Sequence, residues 1–294
     1  MPARNEGACA GALVLDKPAG PTSHDMVYRV RRLTGLKTGH TGTLDPAATG
    51  VLPMLLGQAV RLSRYLIGSD KEYRAVVRLG LTTASDDLEG EVLAERPVPH
   101  LTASEIEDVL GYFRGVIEQV PPMYSAIKVR GERLYRAARR GETVERPTRR
   151  VEIYGLELEN FTRDRWTLRI HCGSGTYIRS LARDLGARLD CGAILESLRR
   201  TRAGQFSLDD AVTLDQLEST WKDHLMPIEE LLPELPVIEL DKDSSRRVFH
   251  GNPVPLGRTQ VEAGGQVRLF HQGQLLAIAR ERSGFLQPAI VFAG

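Results

Sequence analysis

Asp45 is the one carboxylate in the stretch GHTGTLDPAATGVLP, residues 39–53, and His40 is the only other titratable side chain there. Basic residues crowd the approach from Arg29 to Lys37 and resume at Arg61 and Arg64. A carboxylate set among cations suits a nucleophile or proton acceptor that must stay ionised, because nearby positive charge favours the charged form. It equally suits an Asp-Pro turn whose side chain merely closes a loop. His40 carries the same two readings, as a working imidazole or as a hydrogen-bonding turn residue. Two tyrosines add to the set. Tyr73 and Tyr177 each sit where a strand begins or a turn meets a helix, beside Arg74 and Arg179. Both fit a core, and an aromatic next to a cation can also stack a base and hold a phosphate.

What the chain lacks narrows the chemistry. Its seven His and three Cys (Cys9, Cys172, Cys191) never fall at metal-ligand spacing, and neither HExxH nor paired CxxC occurs. There is no P-loop, no GxGxxG joining a strand to a helix, and no GxSxG. An enzyme built on this chain would work with side chains alone. Three cysteines without a disulfide framework point to a reducing cytosol. The N-terminal MPARNEGACAGALVLDKPAG has no signal-like apolar core and no window approaches a membrane span. The expectation is a cytoplasmic protein with no membrane contact.

Net charge is +1 over 294 residues, but it is unevenly spread. Residues 208–245 hold eleven acids against Lys222 and Lys242, whereas residues 246–294 hold six Arg against Glu262 and Glu281. Residues 124–152 interleave nine Lys/Arg and four Glu with Tyr124 and Tyr135. Such a segment is either a solvated charged face or a flap over a polyanion.

The elements that must position these residues are legible from periodicity. GALVLDKPAGPTSHDMVYRVRRLTG reads as a strand, a turn and a helix capped at Thr22 or Ser23, with Met26, Val27, Val30 and Leu33 inward and Gly35 at its end. KEYRAVVRLGLTT alternates as one half-buried strand. LTASEIEDVLGYFRG opens with Thr102 and Glu105 at capping-box spacing and reads as a helix up to Gly115. RWTLRIHC reads as a strand that turns through GSG into the helix TYIRSLARDLGARL. After the proline-containing acidic connector, short turn-bounded strands imply a small β module of about sixty residues. The length is enough for about two domains, and the fold class is α+β: a large body with a small β appendage.

The segments LDKPAGPTSHD, GHTGTLDPAATGVLP, KEYRA, PPMYSAIKVRGERLYRAARRGE and CGSGTYIRSLARDLG, in this order, resemble the motifs of the TruB family of tRNA pseudouridine synthases. The likeness runs from about residue 11 to 204, and the C-terminal part is similar to the PUA-type module that usually follows. It implies a mixed, largely antiparallel sheet flanked by helices, a catalytic domain over residues 1–235 with a thumb-like RNA-binding insertion at about 124–152, and a PUA-like RNA-binding domain over 236–294. It implies isomerisation of uridine to pseudouridine at position 55 in the T loop of tRNA, on a base flipped out of the loop, without cofactor or metal. Asp45 takes the place of the catalytic aspartate, Arg179 of the arginine that pairs with it and keeps it charged, and Tyr73 of the tyrosine that stacks on the target base. Tyr177 matches a second active-site tyrosine, Leu198 the leucine lining the uracil pocket, and His40 the histidine associated with flipping. Lys17, with Pro18, matches a motif near the catalytic loop and joins the substrate-binding set. Lys128, Arg130, Arg139 and Arg140 fall in the thumb, expected to order on RNA. The implied partner is the T-stem-loop of tRNA, bound by a monomer needing no protein partner. Two other readings stand beside this one: a guide-dependent synthase that relies on accessory proteins, and a non-catalytic RNA-binding or RNA-folding protein.

Overall fold

The computed structural model describes residues 10–124, 145–257 and 261–292, together with the backbone of two short strands at 128–129 and 132–133. The RNA-binding side chains expected at Lys128, Arg130, Arg139 and Arg140 lie outside the described residues.

The apolar run Gly11–Lys17 forms β1, buried along nearly its whole length. A turn leads to α1, Ser23–Thr34, where Asp25 N–H donates to Thr22 Oγ1 at 3.1 Å and Thr22 N–H donates back to the Asp25 carboxylate at 2.8 Å. This reciprocal box satisfies two of the orphan donors of the first turn. Met26 and Val30 face the core, and Gly35 ends the helix in the left-handed region, at φ 72°. β2 (Thr38–His40) and β3 (Thr49–Leu56) follow, then a 3₁₀ turn, Gly57–Leu62, and the single-turn helix α2, Ser63–Leu66.

β4 (Lys71–Leu79) alternates buried and open positions as its period-two pattern requires. The continuous strand expected through Thr83 is broken at Gly80. That residue has φ 84°, and a Cβ there would meet Arg96 O at 2.9 Å. β5 (Leu81–Thr83) therefore leaves the main sheet and pairs with β6 (Val92–Glu95). α3, Ala103–Gly111, has the expected Thr102–Glu105 box but stops four residues short of Gly115, whose φ of 81° begins β7 (Gly115–Gln119). The two-residue strands β8 (Lys128–Val129) and β9 (Glu132–Arg133) pair with each other. β10 (Arg149–Phe161) and β11 (Arg165–Cys172) form a long hairpin that leads to α4, Ile178–Arg188, and then β12, Ala193–Ala203. Residues 149–152, expected in the thumb, belong to β10 and pair with β7.

The body is completed by β13 (Phe206–Ser207), α5 (Leu214–Thr220) and β14 (Met226–Pro227). Its central sheet runs in the order β14-β1-β3-β12-β4-β11-β10-β7, with β2 on β3 and β13 on β12. Every pairing is antiparallel except β12 with β3. The sheet is thus mixed and largely antiparallel, as expected. β3 and β12, neither read as a strand from the sequence, are neighbours in its interior. Pro53 sits in β3 opposite Val14, and Pro and Gly in a strand read as loop.

The C-terminal part holds β15 (Val237–Glu239), α6 (Lys242–Phe249), β16 (Val254–Pro255), β17 (Gln266–His271), β18 (Gln274–Arg282) and β19 (Phe285–Val291). They make a five-stranded sheet in the order β15-β17-β18-β19-β16. The module has a small core of its own, including Val267, Leu269, Ala277 and Leu286. Its other face shares a second core with the body, where Ile278, Ile290 and Phe292 pack in one cluster with Val14, Leu55 and Leu62. Burial of this shared surface joins the two sheets, and the Arg61 guanidinium adds to it, donating to Val291 O and lying 5.7 Å from the Phe292 ring centroid.

Candidate active site

Asp45 lies on the loop between β2 and β3, and three elements hold that loop. From the end of β1, the fully buried Lys17 donates to the carbonyls of Pro18 (2.9 Å), Pro46 (2.9 Å) and Ala48 (2.8 Å). From the start of α1, Ser23 Oγ donates to Leu44 O at 2.9 Å and accepts from Leu44 N–H at 2.8 Å. From β12, Arg200 donates to Val51 O (2.7 Å) and Gly42 O (3.0 Å). Lys17, read from the sequence as a residue near the catalytic loop and counted with the substrate-binding set, gives three hydrogen bonds to carbonyls, and its side chain is not among those lining the cleft. It positions the loop.

The first turn of α4 carries the partner of Asp45. Arg179 Nε lies 2.9 Å from Asp45 Oδ2, and its Nη1 lies 3.5 Å from Asp87 Oδ2. The same guanidinium donates to Ser85 O (3.2 Å) and Tyr124 O (2.9 Å). The Arg179 side chain is 6% exposed against 44% for Asp45, so the arginine is fixed in the wall and the carboxylate reaches into the cleft. Tyr177 caps α4 without a side-chain cap bond. The buried Gln119 amide instead takes Tyr177 N–H at 3.0 Å and donates to Tyr177 O at 3.1 Å. That pair of bonds fixes where α4 begins, and with it Arg179.

Electrostatics at Asp45 are a contest. Burial pushes its carboxyl above the ordinary value; Arg179 pulls it back, and Asp87 adds to the rise. Arg179 and, more weakly, Lys17 act to keep Asp45 ionised, where the sequence pointed also to the neighbouring cations from Arg29 to Lys37, Arg61 and Arg64; burial outweighs the two. His40 moves the other way. Burial and the nearby Arg200 push its imidazole below the ordinary histidine range, and its Nδ1 accepts from Gly42 N–H at 3.3 Å. His40 is therefore a neutral ring at neutral pH. Lys71 is pushed down to about 8 by burial and by Arg200.

Asp45, Arg179, Tyr73, Tyr177, Leu198 and His40 all line one cleft of about 1250 Å³. This exceeds the ~300–1,000 Å³ usual for small-molecule sites and leaves room for a nucleotide with its flanking backbone. Tyr73, on β4, is 9% exposed and sits in register with Arg200 on β12 and Ile170 on β11. Burial raises its phenol above the ordinary value while Arg200 opposes the rise. Leu198 lies on β12 just past a bulge, two residues from Arg200. Arg149 lies over the Tyr177 ring, 5.5 Å from its centroid.

Four contributors were missed by reading the sequence: Asp87, Gln119, Lys71 and Arg200. Arg200 had a signal. With Leu198 placed in the pocket, strand alternation puts residue 200 on the same face. It is 1% exposed and has no carboxylate partner among the described residues. Asp87 and Gln119 had none, since each matters through a partner far along the chain.

Solved structures with this architecture include the crystal structure of a Cbf5-Nop10-Gar1 complex, at TM-score 0.76 and 26% identity over 96% of this chain and 85% of that one. The structure of an H/ACA RNP bound to a substrate RNA containing 2′-deoxyuridine matches at TM-score 0.73 and 24% identity, a likeness of fold. Residues 29–178 match the family described as TruB family pseudouridylate synthase (N terminal domain), and 179–235 match the tRNA pseudouridylate synthase B C-terminal domain. The tRNA pseudouridine synthase B of Thermobifida fusca is 47% identical over 296 residues, covering 97% of this chain and 99% of that protein. The protein of the same name from Ralstonia nicotianae is 46% identical over 292 residues, covering 95% and 92%. The chain belongs to the TruB family of pseudouridylate synthases, isomerases that form pseudouridine.

Proposed function

We propose that the chain isomerises uridine 55 in the T loop of tRNA, with Asp45 as the catalytic carboxylate. The observation that carries this reading is the 2.9 Å contact between Asp45 and Arg179 in a cleft also lined by Tyr73, Leu198 and His40. In the reaction the N1–C1′ bond breaks, the uracil turns, C5 bonds to C1′, and the proton on C5 is lost while N1 gains one. Atoms and electrons are conserved within the substrate, so the chemistry calls for no redox partner. A carboxylate that attacks C1′ and one that takes a sugar proton share one requirement: ionised oxygen close to the ribose. Arg179 meets it by opposing the effect of burial on Asp45. Tyr73 and Leu198 supply the walls between which a flipped uracil would lie. The neutral His40 ring, in the cleft lining, is suited to stack where the base has left. Flipping costs a few kcal/mol in lost stacking, and the cationic walls offset part of it by drawing in the backbone.

The test is pseudouridine formation on a bare T-stem-loop transcript by the purified chain. Turnover without partners supports a stand-alone enzyme; turnover only with accessory proteins or a guide would replace this reading with the guide-dependent one. Asp45→Asn should abolish product while tRNA affinity stays within a few-fold, which separates catalysis from RNA binding alone.

A further inference from the structure

Arg179 and Arg200 both line the cleft, and among the described residues only Arg179 has an acid. Arg200, on β12, is 1% exposed, and no carboxylate pairs with it there. Its neighbours deepen the imbalance, since Lys17, Lys71 and His40 are each pushed down by the Arg200 charge. The group that favours that charge is the Tyr73 phenol, directly opposite on β4. Residues opposed in this way across an antiparallel pair present their side chains on one face.

Holding the Asp45 loop does not account for the charge. Arg200 Nε donates to Val51 O at 2.7 Å and Nη2 donates to Gly42 O at 3.0 Å. A neutral amide can serve two carbonyls without the cost of desolvating a cation. The isomerisation supplies a charge of the missing sign. When N1–C1′ breaks, the bonding pair stays on the uracil. C1′ either joins an Asp45 oxygen or gains a double bond to C2′ as Asp45 takes the C2′ proton. On both routes the ring is an anion and Asp45 has lost its negative charge. The anion lasts until C5 bonds to C1′, which frees the carboxylate or draws the proton back to C2′. C5 then loses a proton to water and N1 takes one from water. A fixed cation in a low-dielectric wall stabilises such developing charge without having to reorganise. Burial keeps the Tyr73 phenol above its ordinary value, so Tyr73 is a neutral O–H and does not cancel Arg200.

We propose, resting on the isomerisation proposed above, that Arg200 is a positioning residue for the detached uracil, stabilising the negative charge on the ring across the Tyr73 phenol that it faces. Its hold on the loop fixes the guanidinium in place for that role.

The experiment offers a T-stem-loop with uridine or 5-fluorouridine at the target, in single turnover, and follows loss of the target nucleoside. Fluorine withdraws electrons and steadies the ring anion, so the fluorinated substrate depends less on outside charge. Arg200→Gln keeps donors for the two carbonyls and removes the cation. It should slow uridine by about 10²-fold and 5-fluorouridine several-fold less, with RNA affinity within a few-fold. Arg200→Lys keeps the charge and should hold the wild-type ratio of the two rates. Ser23→Ala loosens the same loop at Leu44 without changing any charge, and should slow both substrates alike. Equal slowing of both substrates in Arg200→Gln would overturn the proposal and leave Arg200 a loop holder. A loss of RNA affinity at an unchanged rate, the mark of a phosphate contact, would also overturn it. If Arg200→Gln does not fold, the Asp45→Asn protein decides, its Asn standing for the discharged Asp45. It is given an RNA abasic at the target together with 5-nitrouracil, whose absorbance reports its ionisation. The bound ring should ionise at lower pH than in water; ionisation at the same or higher pH, or no binding, would sink the inference. If wild type leaves uridine unchanged, the functional reading fails. If wild type converts uridine and the substrate ratio never shifts, only the role of Arg200 fails.

Discussion

The α4 side of the cleft and its β12 side use buried arginine on opposite principles. Lys71, Arg179 and Arg200 in the cleft wall, and Lys17 behind the Asp45 loop, are all below 9% exposed, and carbonyl oxygens accept from each of them. Arg179 also faces the carboxylates of Asp45 and Asp87, whereas Arg200 has no acid partner among the described residues. A buried cation has already lost its hydration and its rotamer freedom, so its charge acts at a fixed point in a low-dielectric wall. The difference teaches that one sign of charge serves two ends here: Arg179 holds and tunes a carboxylate, and Arg200 leaves an unbalanced positive charge beside Tyr73.

The sharpest way to break that distinction is at Asp45 itself. Asp45→Asn should lower kcat by roughly 10²–10⁴-fold or more with tRNA affinity within a few-fold, read by single-turnover product formation. Arg179→Met comes next. It leaves Asp45 and Asp87 facing each other without the shared cation, so the acidic limb of the pH–rate profile should move to higher pH as kcat falls. A profile that keeps its midpoint would show that Arg179 does not tune Asp45. Lys17→Met tests placement alone. Stability should drop by roughly 1–3 kcal/mol, because buried carbonyls lose their donor, and denaturant melts measure it. Arg200→Gln stands last in size when read as the ratio of uridine to 5-fluorouridine rates, which should fall several-fold.

The pH dependence of stability gives a further expectation with a definite sign. Because the folded state raises the Asp45 carboxyl above 3.8, it binds more protons than the unfolded chain just above that pH. The Asp45 contribution to stability therefore declines as pH rises through the folded value. Asp45→Asn should match wild type in acid and become relatively more stable as pH rises over that window, in paired urea melts. On the proposed function activity would run the other way, since the ionised form is the one that acts. The Asp45 carboxylate thus sits where folding would favour a neutral group.

Reading the chain in one dimension reached some parts of this site and not others, for identifiable reasons. Asp45 was visible because its loop contains no other acid, and Tyr73 and Tyr177 because each marks an element boundary beside an arginine. Leu198 and Arg179 were reached through the motif resemblance, which covers the helix and strand that carry them. Lys17 was placed beside the catalytic loop, but its part in holding that loop was not legible. A lysine at a strand end looks free until its three carbonyl acceptors arrive from residues 18, 46 and 48. β3 was read as part of a loop because Gly50 and Pro53 are poor strand formers. It is a strand because β1 and β12 flank it and bury its apolar residues.

By itself the sequence determined the capped helices α1 and α3, the strands β1, β4 and β11, the α+β class, the small β module at the C-terminus, and the family whose motifs the chain carries. Hydrophobic period, capping residues and motif order are local properties, and they survive in one dimension. The tertiary structure alone decided that Arg179 is shared between Asp45 and Asp87, that Gln119 sets the start of α4, and that Arg200 is a buried cation without an acid partner among the described residues. Each of these depends on contacts between distant segments, and it is burial around those contacts that fixes charge, protonation and position.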